Sequence, residues 1–112
     1  MSKRSDELYL SDIRNSIGRI EKYSKNMAFK EFARDWKTID AITRNISIIG
    51  EAAQRVSKKT KDAHPEIPWR KAIGMRNKVI HEYFGVNDEI LWKTIKEDLP
   101  VFKKQIAEIT EE

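Results

Sequence analysis

The sequence contains no cysteine, which removes disulfides, thiolate nucleophiles and cysteine-ligated zinc from consideration. Four glycines and three prolines are few for 112 residues, so long uninterrupted elements are favoured over a turn-rich fold. The histidines are His64 and His81 alone. They lie far apart, and neither sits in a carboxylate–histidine spacing suited to metal binding, so no metal and no cofactor is expected. No apolar run approaches the roughly 20 residues that a bilayer span requires. The opening Met1–Asp6 segment lacks the apolar core of a signal peptide. No membrane association and a cytoplasmic location are therefore expected. Strand-like alternation, internal repeats and low-complexity tracts are absent as well.

What remains is charge and helical periodicity. Charged residues make up 36% and hydrophobic residues 39%, with Lys and Arg exceeding Asp and Glu by 22 to 18 for a net charge of +4 and a pI near 9.3. A chain of this length is predicted to be one domain, residues 1–112, with a single hydrophobic core. The modest cationic excess favours a polyanionic partner through long-range steering, although many small soluble domains carry as much.

Leu10, Ile13, Ile17 and Ile20 recur at spacings of three and four, which predicts a helix from Ser5 to about Ser24. Met27–Arg34 reads as a short helical turn carrying Phe29 and Phe32. Asp35 has the character of an N-cap for the longest helix, about Trp36 to Lys59. Ile39, Ile42, Ile46, Ile49, Ala53 and Val56 form its seam, as in helices packed at shallow angles. A second strip, Asp40, Thr43, Ser47, Gly50 and Gln54, is small and polar. It suits either close approach of another backbone or plain solvent exposure. Lys58–Pro68 is predicted as a loop, because the residues before Pro65 and Pro68 are driven to extended conformations. A helix then runs from Pro68 to about Phe84 and stops at Gly85. Asn87 caps a final helix burying Leu91, Ile95, Leu99, Phe102 and Ile106, with Pro100 expected to bend or break it. The fold class is all-α, an antiparallel bundle of four to five helices.

Chemistry concentrates in Pro68–Gly85, PWRKAIGMRNKVIHEYFG. At about 100° per residue, Trp69, Ala72, Ile73, Val79, Ile80 and Tyr83 form an apolar stripe with Arg76 near its middle. A guanidinium there needs a carboxylate partner, such as Glu51 or Asp40, or a cleft that admits a substrate. Arg70, Gly74, Asn77 and His81 share another face. Gly74 costs the helix about 1 kcal/mol relative to alanine, and the expected benefit is room for a partner helix or a ligand. His81 one turn from Asn77 could exchange protons near neutral pH. It could equally be a surface residue, Arg76 a salt-bridge hub, and Tyr83 a core tyrosine with its hydroxyl at the rim.

Taken together, Arg76-Asn77-Lys78-Val79-Ile80-His81-Glu82-Tyr83 resembles the R-x4-H-x-Y signature of the HepT-like branch of the HEPN superfamily. Ile49–Ala53, His64–Trp69, Phe84-Gly85-Val86 and Trp92 resemble that branch too, in the same order along nearly the whole chain. The resemblance implies a HEPN-type helical bundle that forms a homodimer, with both motifs lining one cleft. It implies a metal-independent endoribonuclease toxin of a type VII-like toxin–antitoxin pair. The partner would be a minimal nucleotidyltransferase antitoxin that silences the toxin by adenylylating the motif tyrosine, here Tyr83. Some HEPN domains bind RNA or a nucleotidyltransferase without cutting, and that is the alternative.

Cleavage of RNA without a metal needs proton transfer to and from oxygen, and positive charge on the developing phosphorane. In this reading the catalytic residues are His81 as proton-transfer group, Arg76 as phosphate clamp and Asn77 as orienting group. Glu51 and Gly74 support them, and the product is a 2′,3′-cyclic phosphate. Five residues of straight helix would leave Arg76 and His81 about 140° apart. A symmetric dimer or a local bulge is needed to bring such groups to one phosphate.

Overall fold

A computed structural model describes residues 5–81 and 85–110, His81 in its backbone only. Helix α1 (Asp6–Ser24) begins at Ser5, whose hydroxyl accepts from the Leu8 backbone N–H, and ends before Asn26, which holds a positive φ of 63°. Helix α2 (Phe29–Arg34) is a short corner. Helix α3 (Trp36–Arg55) starts as predicted at Asp35, whose carboxylate accepts from the Thr38 N–H at 3.0 Å. Helices α4 (Lys58–Ala63) and α5 (Trp69–Val79) follow. A two-residue hairpin, β1 (Ile80–His81) with β2 (Gly85–Val86), comes next. The final rod is α6 (Asp88–Lys93), a π-helical turn Thr94–Asp98 and α7 (Leu99–Thr110).

The molecule is an all-α bundle of long rods. Helix α1 packs on α3, α3 on α5, and α7 returns along α1. The periodic isoleucines form the interior. Ile13, Ile17, Ile20, Ile42, Ile46 and Ile49 are fully enclosed, each stabilising the fold by about 1.5–3 kcal/mol through loss of water contact. Leu91, Ile95, Leu99, Phe102 and Ile106 face inward from the last rod, and the Phe32 ring packs tilted against Trp92 with centroids 4.9 Å apart. No helix among the described residues is long and apolar enough to cross a membrane.

Three elements differ from the sequence expectation. The Lys58–Pro68 stretch contains helix α4, because Ser57 caps it by accepting from the Thr60 N–H at 3.2 Å. Asp6 clamps that cap in turn, accepting from the Ser57 N–H at 3.0 Å and the Ser57 hydroxyl at 2.6 Å. Pro100 does not end the last helix, which continues to Thr110. The π turn before it lets the Leu99 N–H reach the Thr94 carbonyl, and this wider turn makes room for a ring that clashes in a tight α-helix.

The third difference matters most for the site. The helix expected to run to Phe84 ends at Val79. Val79-Ile80 is a β-branched pair that favours extended backbone, and Ile80 holds φ −109°, ψ 125°. The freed Val79 carbonyl accepts from the Asn87 N–H at 2.7 Å, so the hairpin satisfies the helix end. Gly85, expected to terminate a helix, closes the hairpin instead, with φ of +73°.

Candidate functional site

Helix α5 carries Arg70, Lys71, Arg76 and Lys78 and no acidic residue. Two contacts fix the N-terminal turn of the helix. The Trp69 indole N–H donates to the His64 carbonyl at 3.1 Å, and Lys71 pairs with Asp98 at 3.0 Å. Against α3 the backbone approach is close at Gly50. A Cβ there would stand 3.2 Å from the Ile73 carbonyl oxygen and 3.4 Å from that of Ala72. Of the two uses open to the small polar strip of α3, Gly50 therefore serves close backbone approach. Asp40 and Gln54 on the same strip are exposed.

The buried face of α5 is Trp69, Ala72, Met75 and Val79, with Ile73 half-buried. This corrects the expected stripe. Met75, unbranched and adaptable, occupies the interior position one residue before Arg76, and the arginine is turned out to solvent. Ile73 and Ile80 lie at the margin of the core on either side of it. Arg76 has no ion-pair partner among the described residues. Its guanidinium is therefore available to an anion.

Asn77 is exposed beside Arg76 in the last turn of α5. The chain then leaves the helix, and the backbone of His81 pairs with Gly85 across the hairpin. The half-turn separation expected along one helix thus does not apply, because His81 is not on the helix. The His81 side chain and Tyr83 lie outside the described residues. Gly74 is half-buried, and a Cβ there would meet nothing within 4 Å. Glu51 is not brought to Arg76. It pairs with Arg55 at 3.4 Å and, with Tyr9 and Asp12, lines a groove between α1 and α3. No cluster of three or more His, Asp or Glu able to hold a metal ion occurs among the described residues.

The helix-to-hairpin break inside the motif was missed by periodicity. Its signal was local: two β-branched residues, then His81, and Gly85 four positions later.

The model of the family described as "Ribonuclease HepT-like" matches residues 13–109. The chain belongs to the HepT-like ribonuclease family. The "Probable ribonuclease HepT" of Thermococcus cleftensis is 45% identical over 107 residues, covering 96% of this chain and 97% of that protein. A Caldanaerobacter subterraneus protein with a provisional RNase name is 39% identical over 101 residues, 90% of each chain. A Methanocaldococcus jannaschii protein, also provisionally named an RNase, is 36% identical over 106 residues, 95% of this chain and 97% of its own length. No solved structure matches the chain. The motif Arg76–Tyr83 falls inside the matched span, and the all-helical architecture fits the HepT-like family.

Proposed function

We propose that this HepT-like protein is a metal-independent endoribonuclease whose site is built from Arg76, Asn77 and His81, working as a homodimer in which the two motifs line one cleft. The observation that carries this reading is the solvent-facing Arg76 guanidinium in the last turn of α5, without an ion-pair partner among the described residues and five residues before the motif histidine. An arginine held by a carboxylate would be a structural clamp. An unpaired one at a helix end can take a phosphate in bidentate geometry.

In the reaction the ribose 2′-oxygen attacks phosphorus and the 5′-oxygen leaves, giving a 2′,3′-cyclic phosphate. His81 exchanges the proton with one of these oxygens, Arg76 neutralises the phosphorane, and Asn77 orients either group. DNA lacks the nucleophile. The homodimer is favoured by Gly74, a helix-weakening glycine that no contact among the described residues requires. Such a residue suits the close approach of a second copy. Tyr83, as the motif tyrosine, is the site at which a minimal nucleotidyltransferase antitoxin adds AMP, placing bulk and negative charge beside the cleft. Co-expression with that partner should add one AMP, read by mass spectrometry, and Tyr83→Phe should abolish the addition.

The direct test of catalysis is cleavage of RNA by purified protein in EDTA. The wild type should cut and leave cyclic phosphate ends. His81→Ala should lose about 10²–10⁴-fold, the usual contribution of one proton-transfer group, and Arg76→Ala a comparable factor. Binding without cleavage by the wild type would return the protein to the non-catalytic HEPN reading.

A further inference from the structure

One end of the bundle is unlike the rest of the surface. It comprises the last turn of α1, the corner helix α2 and the first turn of α3. Trp36 is 71% exposed and Tyr23 42% exposed, although most of the chain's large apolar side chains are enclosed. Neither ring is committed to an aromatic pair among the described residues. Between Lys22 and Lys37 the charge is lopsided. Lys22, Lys25, Lys30, Arg34 and Lys37 are all exposed, and none has an ion-pair partner among the described residues. The two carboxylates of the segment are turned to backbone. Glu31 accepts from the Ala28 N–H at 3.2 Å and Asp35 from the Thr38 N–H at 3.0 Å. Glu21, in the last turn of α1, is held by Lys103 at 2.7 Å, and Asp40, one turn further along α3, tempers the field on its side. Tyr23 and Lys37 line a common groove with Thr38 and Ala41, so the end of α1 and the start of α3 form one surface.

We infer that this end of the bundle docks single-stranded RNA, with Trp36 and Tyr23 as stacking platforms for bases and the lysines meeting phosphates. Exposed rings interleaved with unpaired cations are what a flexible polyanion with accessible π-faces requires. Bases in a duplex are already stacked on one another and cannot be taken up by surface rings, so a single strand or loop is selected over a helix. The inference rests on the ribonuclease reading for the identity of the strand, but it concerns a different surface from the Arg76–His81 site.

The test uses the full-length protein and a labelled 2′-O-methyl oligoribonucleotide of mixed sequence, which binds but cannot be cut. By fluorescence anisotropy, Trp36→Ala should weaken binding by about 5- to 150-fold, the range of one lost base–aromatic stack, with Trp36→Phe recovering most of it. Replacing Lys22, Lys25 and Lys37 together by Gln should flatten the salt dependence of log K by about 2, at about 0.7 per phosphate contact. Trp69 is enclosed and Trp92 half-buried, so quenching of tryptophan emission by the RNA should vanish in Trp36→Phe. Docking is read by anisotropy on the uncut oligonucleotide and cleavage on unmodified RNA in EDTA, so failure of this inference and failure of the ribonuclease reading are distinguishable. Unaltered affinity in both Trp36→Ala and the triple lysine variant would overturn the inference. So would tighter binding of a duplex than of the single strand, or a fall in mass of Trp36→Ala by light scattering, which would make Trp36 a contact between copies.

Discussion

At the residue scale two glycines in packed helices have opposite reasons for being there. Gly50 is enclosed between α3 and the α5 backbone, so an added methyl meets carbonyl oxygens that cannot rotate away. Gly74 faces open space. Gly50→Ala should therefore lose more by overpacking than the roughly 1 kcal/mol it gains in helix propensity. Gly74→Ala should keep the gain. Thermal melts of the two variants should shift in opposite directions, each by about 4–8 °C per kcal/mol for a domain of this size. A stabilised Gly74→Ala that is also monomeric would place Gly74 at the contact between copies. Equal destabilisation of both would contradict the packing described.

The same scale holds a pH-dependent element of stability. Burial on its own would raise the Asp6 carboxyl. Hydrogen bonds from the Ser57 hydroxyl, the Thr60 hydroxyl and the Ser57 backbone, with the charge of Lys61, outweigh it and hold the group below its ordinary value of 3.8. A carboxyl depressed in the fold contributes fully above that ordinary value, and the contribution fades as pH falls through the lower folded value. Asp6→Asn should cost at most about 1 kcal/mol at neutral pH, because solvent screens this partly exposed carboxylate. The gap to wild type should narrow below pH 3.8. A gap independent of pH would show that the clamp does not depend on charge.

At the element scale, what was legible in the sequence follows from what forms each element. The seams of α1, α3 and the last rod were readable because isoleucine and leucine at three-four spacing have one stable arrangement. Asp35 and Asn87 were readable as caps because their side chains bond N–H groups three residues on. What was not legible depends on longer-range partners. Helix α4 depends on Asp6, which is 51 residues from Ser57. The end of α5 depends on Asn87 accepting the role of donor to Val79. Periodicity centres the stripe on Ile73 and Ile80 and so turns Arg76 inward, whereas Met75 takes the interior position. As to the site, Arg76 and Asn77 fall together on the last turn of α5, while Glu51 belongs to another groove. The exposed Trp36 was not singled out because periodicity weighs what is buried, and a first-turn tryptophan has no periodic signature.

At the scale of the whole molecule, the bundle uses α1, α3 and the last rod to hold α5 at the surface with its cationic turn outward. The core side of α5 is set by α3 through Gly50 and by the last rod through Lys71 and Asp98. The motif sits where a rigid helix passes into a short hairpin. The central claim is that two such junctions, one from each chain, form a shared ribonuclease cleft. The most direct measurement is complementation in defined mixed dimers. Differently tagged Arg76→Ala and His81→Ala chains are co-expressed, the doubly tagged species is purified, and RNA cleavage in EDTA is compared with each parent variant. Within a two-fold pair the mixed dimer keeps one intact Arg76 and one intact His81. The account predicts cleavage well above both parents. A mixed dimer as inactive as either, or a wild-type monomer that cuts RNA at full rate, would contradict it.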